Sequence, residues 1–373
     1  MNKSLNIVVL GLSITSSWGN GHATTFRGLV RELSARRHRV LFLERDMPWY
    51  AKHRDLHSLP AAHIELYRSV NELKEKFARN ISGADAVIIG SYVPDGVAVT
   101  QWVLSIVSGA TIFYDIDTPV TLARLQRGET EYLAPELIPQ FQLYLSFTGG
   151  PTLDYIEREL GARLARPLYC SVDPKEYYPE PIEKKWDLGF LGTYSADRQA
   201  ALEELLLQPA LRWPAGRFAV AGSQYPPGIR WAENVERMEH LPPGEHRRFY
   251  NQQLFTLNLT RAEMIEAGYS PSVRLFEAAA CGVPTISDEW EGLDEFFELG
   301  DELLVARDRE DALRYVRDIS RTEAREIGEA ARQRVMSKHT AKHRAVELEG
   351  YLLDLLGNGL SREVEPAESS TKR

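Results

Sequence analysis

Short apolar runs alternate with amphipathic helical patterns from one end of this chain to the other, and that alternation limits the fold more than any other feature. Asn6–Leu12, Arg39–Leu43, Asp85–Gly90, Ala110–Tyr114 and Leu143–Phe147 are rich in Val, Ile, Leu and Phe, with the length and composition of buried strands. Between the first two, Gly21–Arg36 places Phe26, Leu29 and Leu33 at helical spacing. Strands separated by helices build parallel β-α-β units. Such a sheet is covered on both faces, so its strands are apolar throughout rather than alternating.

The pattern breaks at Asp173–Lys185, where three prolines stand among many charges. This reads as a linker between domains. The alternation then restarts: a strand at Asp187–Leu191, a helix from about Asp197 to Leu207, strands at Phe218–Ala221, Leu254–Leu259 and Val283–Ile286, and a mostly helical end over Glu323–Leu356. A chain of 373 residues exceeds what one hydrophobic core serves. The expected fold class is therefore α/β, with two Rossmann-like doubly wound domains facing across a cleft. The first spans 1–175 and the second 176–340. A C-terminal helix, 341–360, packs back on the first, and a polar tail, 361–373, is expected to be disordered. Ligands in such sheets bind beyond the carboxyl ends of the strands, which here means the cleft.

Charge and cysteine content exclude some functions. Residues 1–175 carry 19 Lys/Arg against 18 Asp/Glu, leaving 25 against 35 in the remainder. An acidic chain speaks against nucleic acid as a partner. The run Arg27, Arg31, Arg36, Arg37 and Arg39 reads as a solvated face, with peripheral membrane contact left open. Two cysteines, Cys170 and Cys281, indicate no disulfide framework, and a reducing, cytoplasmic setting is expected. No apolar run reaches the roughly 18 residues of a membrane helix. The opening apolar run, cut by Gly11 and Ser13, reads as a first strand rather than a signal peptide.

The segment richest in chemistry is Gly268-Tyr269-Ser270-Pro271-Ser272-Val273-Arg274-Leu275-Phe276-Glu277-Ala278-Ala279-Ala280-Cys281-Gly282-Val283-Pro284. Ser270 is a good N-cap and Pro271 suits the first helical position, while Gly282 is a C-terminal stop. The free N–H groups and partial positive charge of such a helix start suit a diphosphate. Arg274, one turn in, adds a bidentate phosphate donor. Glu277, three residues on and on the same face, is placed to accept hydrogen bonds from ribose hydroxyls. An ordinary capped helix with an Arg–Glu surface pair has the same spacing.

This segment resembles the donor-binding segment of the group 1 (family 4-like) GT-B glycosyltransferases, where Glu-Ala-x-Ala-x-Gly-x-Pro recurs. Val172-Asp173-Pro174-Lys175-Glu176-Tyr177-Tyr178-Pro179 is similar to that family's inter-domain linker. Asp187-Leu188-Gly189-Phe190-Leu191-Gly192-Thr193-Tyr194 is similar to the strand and loop that open its nucleotide-binding domain. The run Ser270-Pro271-Ser272-x-Arg274-x-Phe276-Glu277 is closest to the CgeB-like spore-maturation set. The resemblance implies transfer of a sugar from a nucleoside diphosphate donor, UDP by family habit, to an acceptor hydroxyl. It places Glu277 on the ribose and Arg274 on the diphosphate, with Ser270, Ser272 and Val273 beside them. No cofactor or metal is implied. One departure stands out: the family carries a second Glu eight positions before the ribose-binding one, and here that position is Tyr269. The transferred sugar and the stereochemistry, with retention one outcome, stay open. A nucleotide-sugar epimerase and an inactive nucleotide-binding protein of the same fold remain as alternatives.

Other candidates sit at strand ends. The small polar run Ser13–Thr25 follows the first strand. Gly19, Asn20 and Gly21 form an acceptor-side loop there, and His22 is a base or sugar contact, or else a packing residue at the helix start. Asp115 and Asp117 end a strand and offer a general base. Gly192, Thr193 and Tyr194 with Arg198 suit the distal phosphate, and Gly222-Ser223 is a weaker copy. His240-Leu241 edge the base, and Arg261 ends a strand facing the cleft.

Overall fold

The computed structural model describes residues 4–18, 21–56, 58–59 and 62–360. Its strands form two sheets in which every pairing is parallel. The first contains β1 (Asn6–Gly11), β2 (Arg39–Arg45), β3 (His63–Tyr67), β4 (Ala86–Gly90), β5 (Ala110–Asp115), β6 (Leu143–Ser146) and β7 (Ala165–Pro167), ordered β3-β2-β1-β4-β5-β6-β7. The second contains β8 (Trp186–Leu191), β9 (Phe218–Ala221), β10 (Val235–Met238), β11 (Gln253–Asn258), β12 (Thr285–Ser287) and β13 (Leu304–Val305), ordered β10-β9-β8-β11-β12-β13. The fold class is thus the expected one, two Rossmann-like domains with a cleft between them.

The central strands form because both faces are buried. In β1, Val8 and Leu10 join the core that includes Phe77 and Phe113, while Ile7 and Val9 pack with Phe26 and Leu29 on the opposite face. Four strands are absent from the sequence reading, and all four are sheet edges: β3, β7, β10 and β13. An edge strand needs no continuous apolar run, because one of its sides is not paired to another strand and its faces are partly wet. His63–Tyr67 is mostly half-exposed, and Val235–Met238 carries Glu236 and Arg237.

The chain crosses between the domains twice. Residues 173–185 form neither helix nor strand, yet they are held down. Tyr177 is buried with Tyr250 and Phe276, and Asn251 Oδ1 accepts from the Glu180 N–H at 2.8 Å. The final helix, Ala341–Leu360, returns to the first domain, where Ala345, Leu348 and Leu352 share a core with Phe26 and Val30. Arg27, Arg31 and Arg36 are braces: they pair with Asp55, Asp173 and Glu349. Among the described residues no helix is long and apolar enough to cross a membrane. The tail 361–373 lies outside the described residues.

In each sheet the direction of strand addition reverses once, between β1 and β4 and between β8 and β11. The loops leaving these strands open a crevice at each reversal, where doubly wound sheets place ligands.

Candidate active site in the domain cleft

A cavity of about 380 Å³ lies between the carboxyl ends of the two sheets. The first domain contributes Leu12, Gly21, His22, Tyr92, Ile116, Asp117 and Phe147, and the second contributes Arg261, Met264, Ser270, Pro271, Ser272 and Val273. The cavity therefore brings together His22, Asp117, Arg261 and the start of the helix Val273–Ala280, which lie far apart along the chain.

His22 is the first residue of the helix His22–Ala35 and is buried. Its Nε2 lies 3.4 Å from Asp117 Oδ2, and its ring meets Tyr92 edge-on at 5.5 Å. Its Nδ1 has no partner among the described residues. Asp117 precedes the helix Thr118–Gln126 and is partly exposed. Asp115 is different. It has no exposed surface, and its carboxylate accepts from the Tyr144 hydroxyl at 2.6 Å and the Thr121 hydroxyl at 2.7 Å. Burial pushes its pKa up to about 6. The expected cleft-facing pair is thus corrected to one aspartate in the cavity and one beneath it, because β5 turns Asp115 into the core.

The small polar loop after β1 is also redirected. The Ile14 and Thr15 N–H groups and the Thr15 hydroxyl all donate to the buried Glu44 carboxylate, at 2.7, 2.9 and 2.7 Å. Ser17 donates to Asp55 through its N–H and its hydroxyl. These groups hold the loop rather than a ligand. Gly19 and Asn20 lie outside the described residues.

On the second domain, the helix start differs from the expected one. Ser272, not Ser270, occupies the N-cap, and its hydroxyl donates to Asn258 Oδ1 at 2.8 Å instead of accepting from the helix. Ser270 is buried against Thr148 of the first domain, with the hydroxyls 2.9 Å apart. Arg274 donates through Nε to the Leu191 carbonyl at 2.6 Å and through Nη1 to Asn258 Oδ1 at 2.8 Å, with its guanidinium over the Phe190 ring. Asn258, at the end of β11, thereby orients both Ser272 and Arg274. The sequence places the run Asn258–Arg261 at a strand end facing the cleft, but points to Arg261 rather than Asn258 as its functional residue.

Arg198 donates to the Thr193 carbonyl at 2.6 Å. Burial, together with the charges of Arg274 and Arg261, lowers its pKa to about 10. Three guanidinium groups thus gather near the ends of β8 and β11. The Gly192–Tyr194 loop is pinned to the next strand end. Gly192 N–H donates to the Ala221 carbonyl and Tyr194 N–H to that of Ser223, each at 2.9 Å. A Cβ on Gly222, whose φ is +152°, would overlap the Gly192 carbonyl, so the two loops touch only because that residue is glycine. Tyr225 donates to the Gly192 carbonyl at 3.1 Å.

Glu277 is buried one turn behind Arg274 and does not line the cavity. The Tyr250 hydroxyl donates to it at 3.0 Å, and burial raises its pKa to about 7. His240 is exposed. The Leu241 carbonyl accepts from His246, whose pKa burial lowers to about 4. Neither His240 nor Leu241 lines the cavity. Tyr269, which stands where the family carries Glu, holds a left-handed backbone (φ 47°), and its ring fills the space over Gly150 and Gly292. Its carbonyl accepts from the Gly149 N–H at 3.0 Å, so it serves the domain junction. Sequence reasoning also missed Tyr92. Its position just past the end of β4, one of the two strands at the reversal, was the available signal.

Residues 198–350 match the family model described as "Glycosyl transferase-like". Solved structures share the whole architecture. The sucrose-phosphate synthase from Thermosynechococcus elongatus aligns at TM-score 0.68 and 14% identity, over 95% of this chain and all of that one. Anabaena Alr3699/HepE, solved with UDP and glucose, aligns at 0.68 and 12%, over 94% and 100%. An alpha-glucosyltransferase, solved with UDP-glucose and DNA containing an abasic site, aligns at 0.71 and 12%, over 94% and 100%. No curated protein sequence matches this chain. The fold is the GT-B arrangement, and its second domain is glycosyltransferase-like.

Proposed function

We propose that this protein transfers a glycosyl unit from a nucleoside diphosphate sugar, with UDP as the nucleotide, to an acceptor hydroxyl. The observation that carries the reading is Arg261 and the start of the helix Val273–Ala280 facing His22 and Asp117 across one cavity, while Arg198 and Arg274, outside its lining, share the Phe190 ring. Neighbours of the same fold solved with UDP or UDP-glucose support the donor class. The run Ser270–Glu277 supports a place beside the CgeB-like set.

In this reading the diphosphate lies on the helix N-terminus, the Arg261 and Arg274 guanidinium groups and the Gly192 loop. As the bond from the anomeric carbon to the diphosphate oxygen breaks, its electron pair leaves with the diphosphate, and fixed positive charge stabilises it. The acceptor oxygen forms the new bond to that carbon. Its proton passes to the Asp117 carboxylate, which His22 orients through Nε2. Glu277, steadied by Tyr250, takes the ribose hydroxyls. The arginines supply the charge that a metal would otherwise bring, so transfer is metal-independent, and excess chelator leaves the rate unchanged.

Calorimetric titration of UDP tests this reading. Arg261→Ala and Arg274→Ala each weaken UDP about 10–100-fold, the worth of a charge-assisted contact. Because Arg274 also braces Leu191 and Asn258, a thermal melt of each variant separates lost binding from lost folding. Wild-type protein that does not bind UDP, or an Arg261→Ala variant that binds it normally with the melt unchanged, sinks the assignment.

A further inference from the structure

The two halves of the cavity differ in chemistry. The second domain presents Arg261, Ser270 and Ser272 beside Met264, Pro271 and Val273. The first domain presents Leu12, Ile116, Val120 and Phe147, the rings of Tyr50 and Tyr92 and the Thr25 side chain, and its acid–base pair there is His22 and Asp117, which already face each other. The polar groups of the loop after β1, well suited to bonding a sugar, are turned inward onto Glu44 and Asp55. Trp49, half exposed, packs edge-on against Tyr50 and extends this apolar wall outward.

A saccharide acceptor brings several hydroxyls that lose water on entry, and each needs a new partner. Among the described side chains of the first-domain wall, the His22–Asp117 pair brings the one carboxylate for such a bond, with the Thr25, Tyr50 and Tyr92 hydroxyls as the remaining oxygens. An alcohol with an apolar body needs only that place, and its body gains from burial. We infer that the acceptor is an apolar alcohol, aromatic or aliphatic, whose single hydroxyl meets Asp117 while its body lies on Tyr50, Tyr92 and Val120. This inference rests on the transferase reading above. The bonds exchanged are those already described: the alcohol oxygen bonds the anomeric carbon, the diphosphate leaves with the broken bond's electrons, and the alcohol proton goes to Asp117.

The test is equilibrium binding to the full chain saturated with UDP, followed by intrinsic fluorescence, with four probes: methylumbelliferone, octanol, methyl glucoside and maltose. Methylumbelliferone or octanol binds at least about tenfold more tightly than either saccharide, and the stronger of the two identifies an aromatic or an aliphatic source. Tyr92→Ala and Val120→Ser weaken that binding about tenfold while UDP affinity and melting temperature hold. Saccharide binding as tight as that of the alcohols, no binding by either alcohol, or binding indifferent to both substitutions overturns the inference. UDP titration stands apart from these arms: protein that binds UDP but prefers methyl glucoside loses only the acceptor class, whereas protein that binds no UDP loses the transferase reading itself.

Discussion

With its carboxyl bonded to Tyr144 and Thr121 and no surface exposed, Asp115 titrates near 6 rather than 3.8. A folded-state pKa above the unfolded value means that the folded chain holds its proton more tightly. Stability contributed by that protonation is present below 3.8 and is lost as pH rises towards 6. Asp115→Asn removes the titration. Its unfolding free energy relative to wild type, read from denaturant melts, is therefore expected to climb across this window by about 1–3 kcal/mol. Asp117→Asn, two residues on, touches the cavity instead. It leaves UDP affinity nearly intact and lowers kcat by about 10²–10⁴-fold, the usual weight of a positioned general base. Steady-state rates beside UDP titrations decide it, and equal losses of UDP affinity in Asp117→Asn and Arg274→Ala break the proposed division of labour. Glu277 carries a pH dependence of its own. Burial sets its pKa at about 7, and ribose hydroxyls bond a carboxylate better than a carboxylic acid. UDP affinity should rise as pH climbs through 7, and Glu277→Gln should flatten the rise.

At the scale of the element, the loop after β1 shows how a polar segment becomes a scaffold. Glu44, in β2, gathers the N–H groups of Ile14 and Thr15 and the Thr15 hydroxyl. Glu44→Ala leaves those buried donors unpaired, at a cost of about 1–3 kcal/mol each. The variant is expected to melt several degrees lower and to exchange the Ile14 and Thr15 amide hydrogens faster. Unchanged exchange at both amides defeats this account. On the other domain Asn258 plays the corresponding part, orienting Ser272 and Arg274 from one side-chain oxygen.

At the scale of the molecule, the domain junction is built around Tyr269. Its ring occupies the space that a side chain at Gly150 or Gly292 would need, and its carbonyl binds the Gly149 N–H. Thr148 and Ser270 add a hydroxyl contact across the same junction. Gly150 has φ +55°, so Gly150→Ala meets both a strained backbone and the Tyr269 ring, and should cost about 1–3 kcal/mol. In Tyr269→Ala the steric part disappears, and the double variant should be less destabilised than the sum of the singles. Strict additivity in denaturant melts places the ring elsewhere.

The sequence alone determined the inner strands of both sheets. β1, β4, β5, β8 and β9 are mostly apolar and mostly buried, and burial on both faces writes itself as a nearly continuous apolar run. It also determined that Arg274 and Glu277 share a helix ended by Gly282, since helical spacing and a left-handed stop are local properties. Tertiary structure decided the rest. The edge strands β3, β7, β10 and β13 exist through pairing with a neighbour, not through their own composition. Asp115 and Asp117 read alike along the chain, and only the direction of β5 buries one and leaves the other in the cavity. Ser270 looked like a cap until Thr148, 122 residues away, claimed its hydroxyl. The serines and threonines after β1 looked open to a ligand until Glu44 and Asp55 took them. Each such outcome depends on which distant group arrives first at a hydrogen-bonding partner, and the order of residues along a chain does not record that distance.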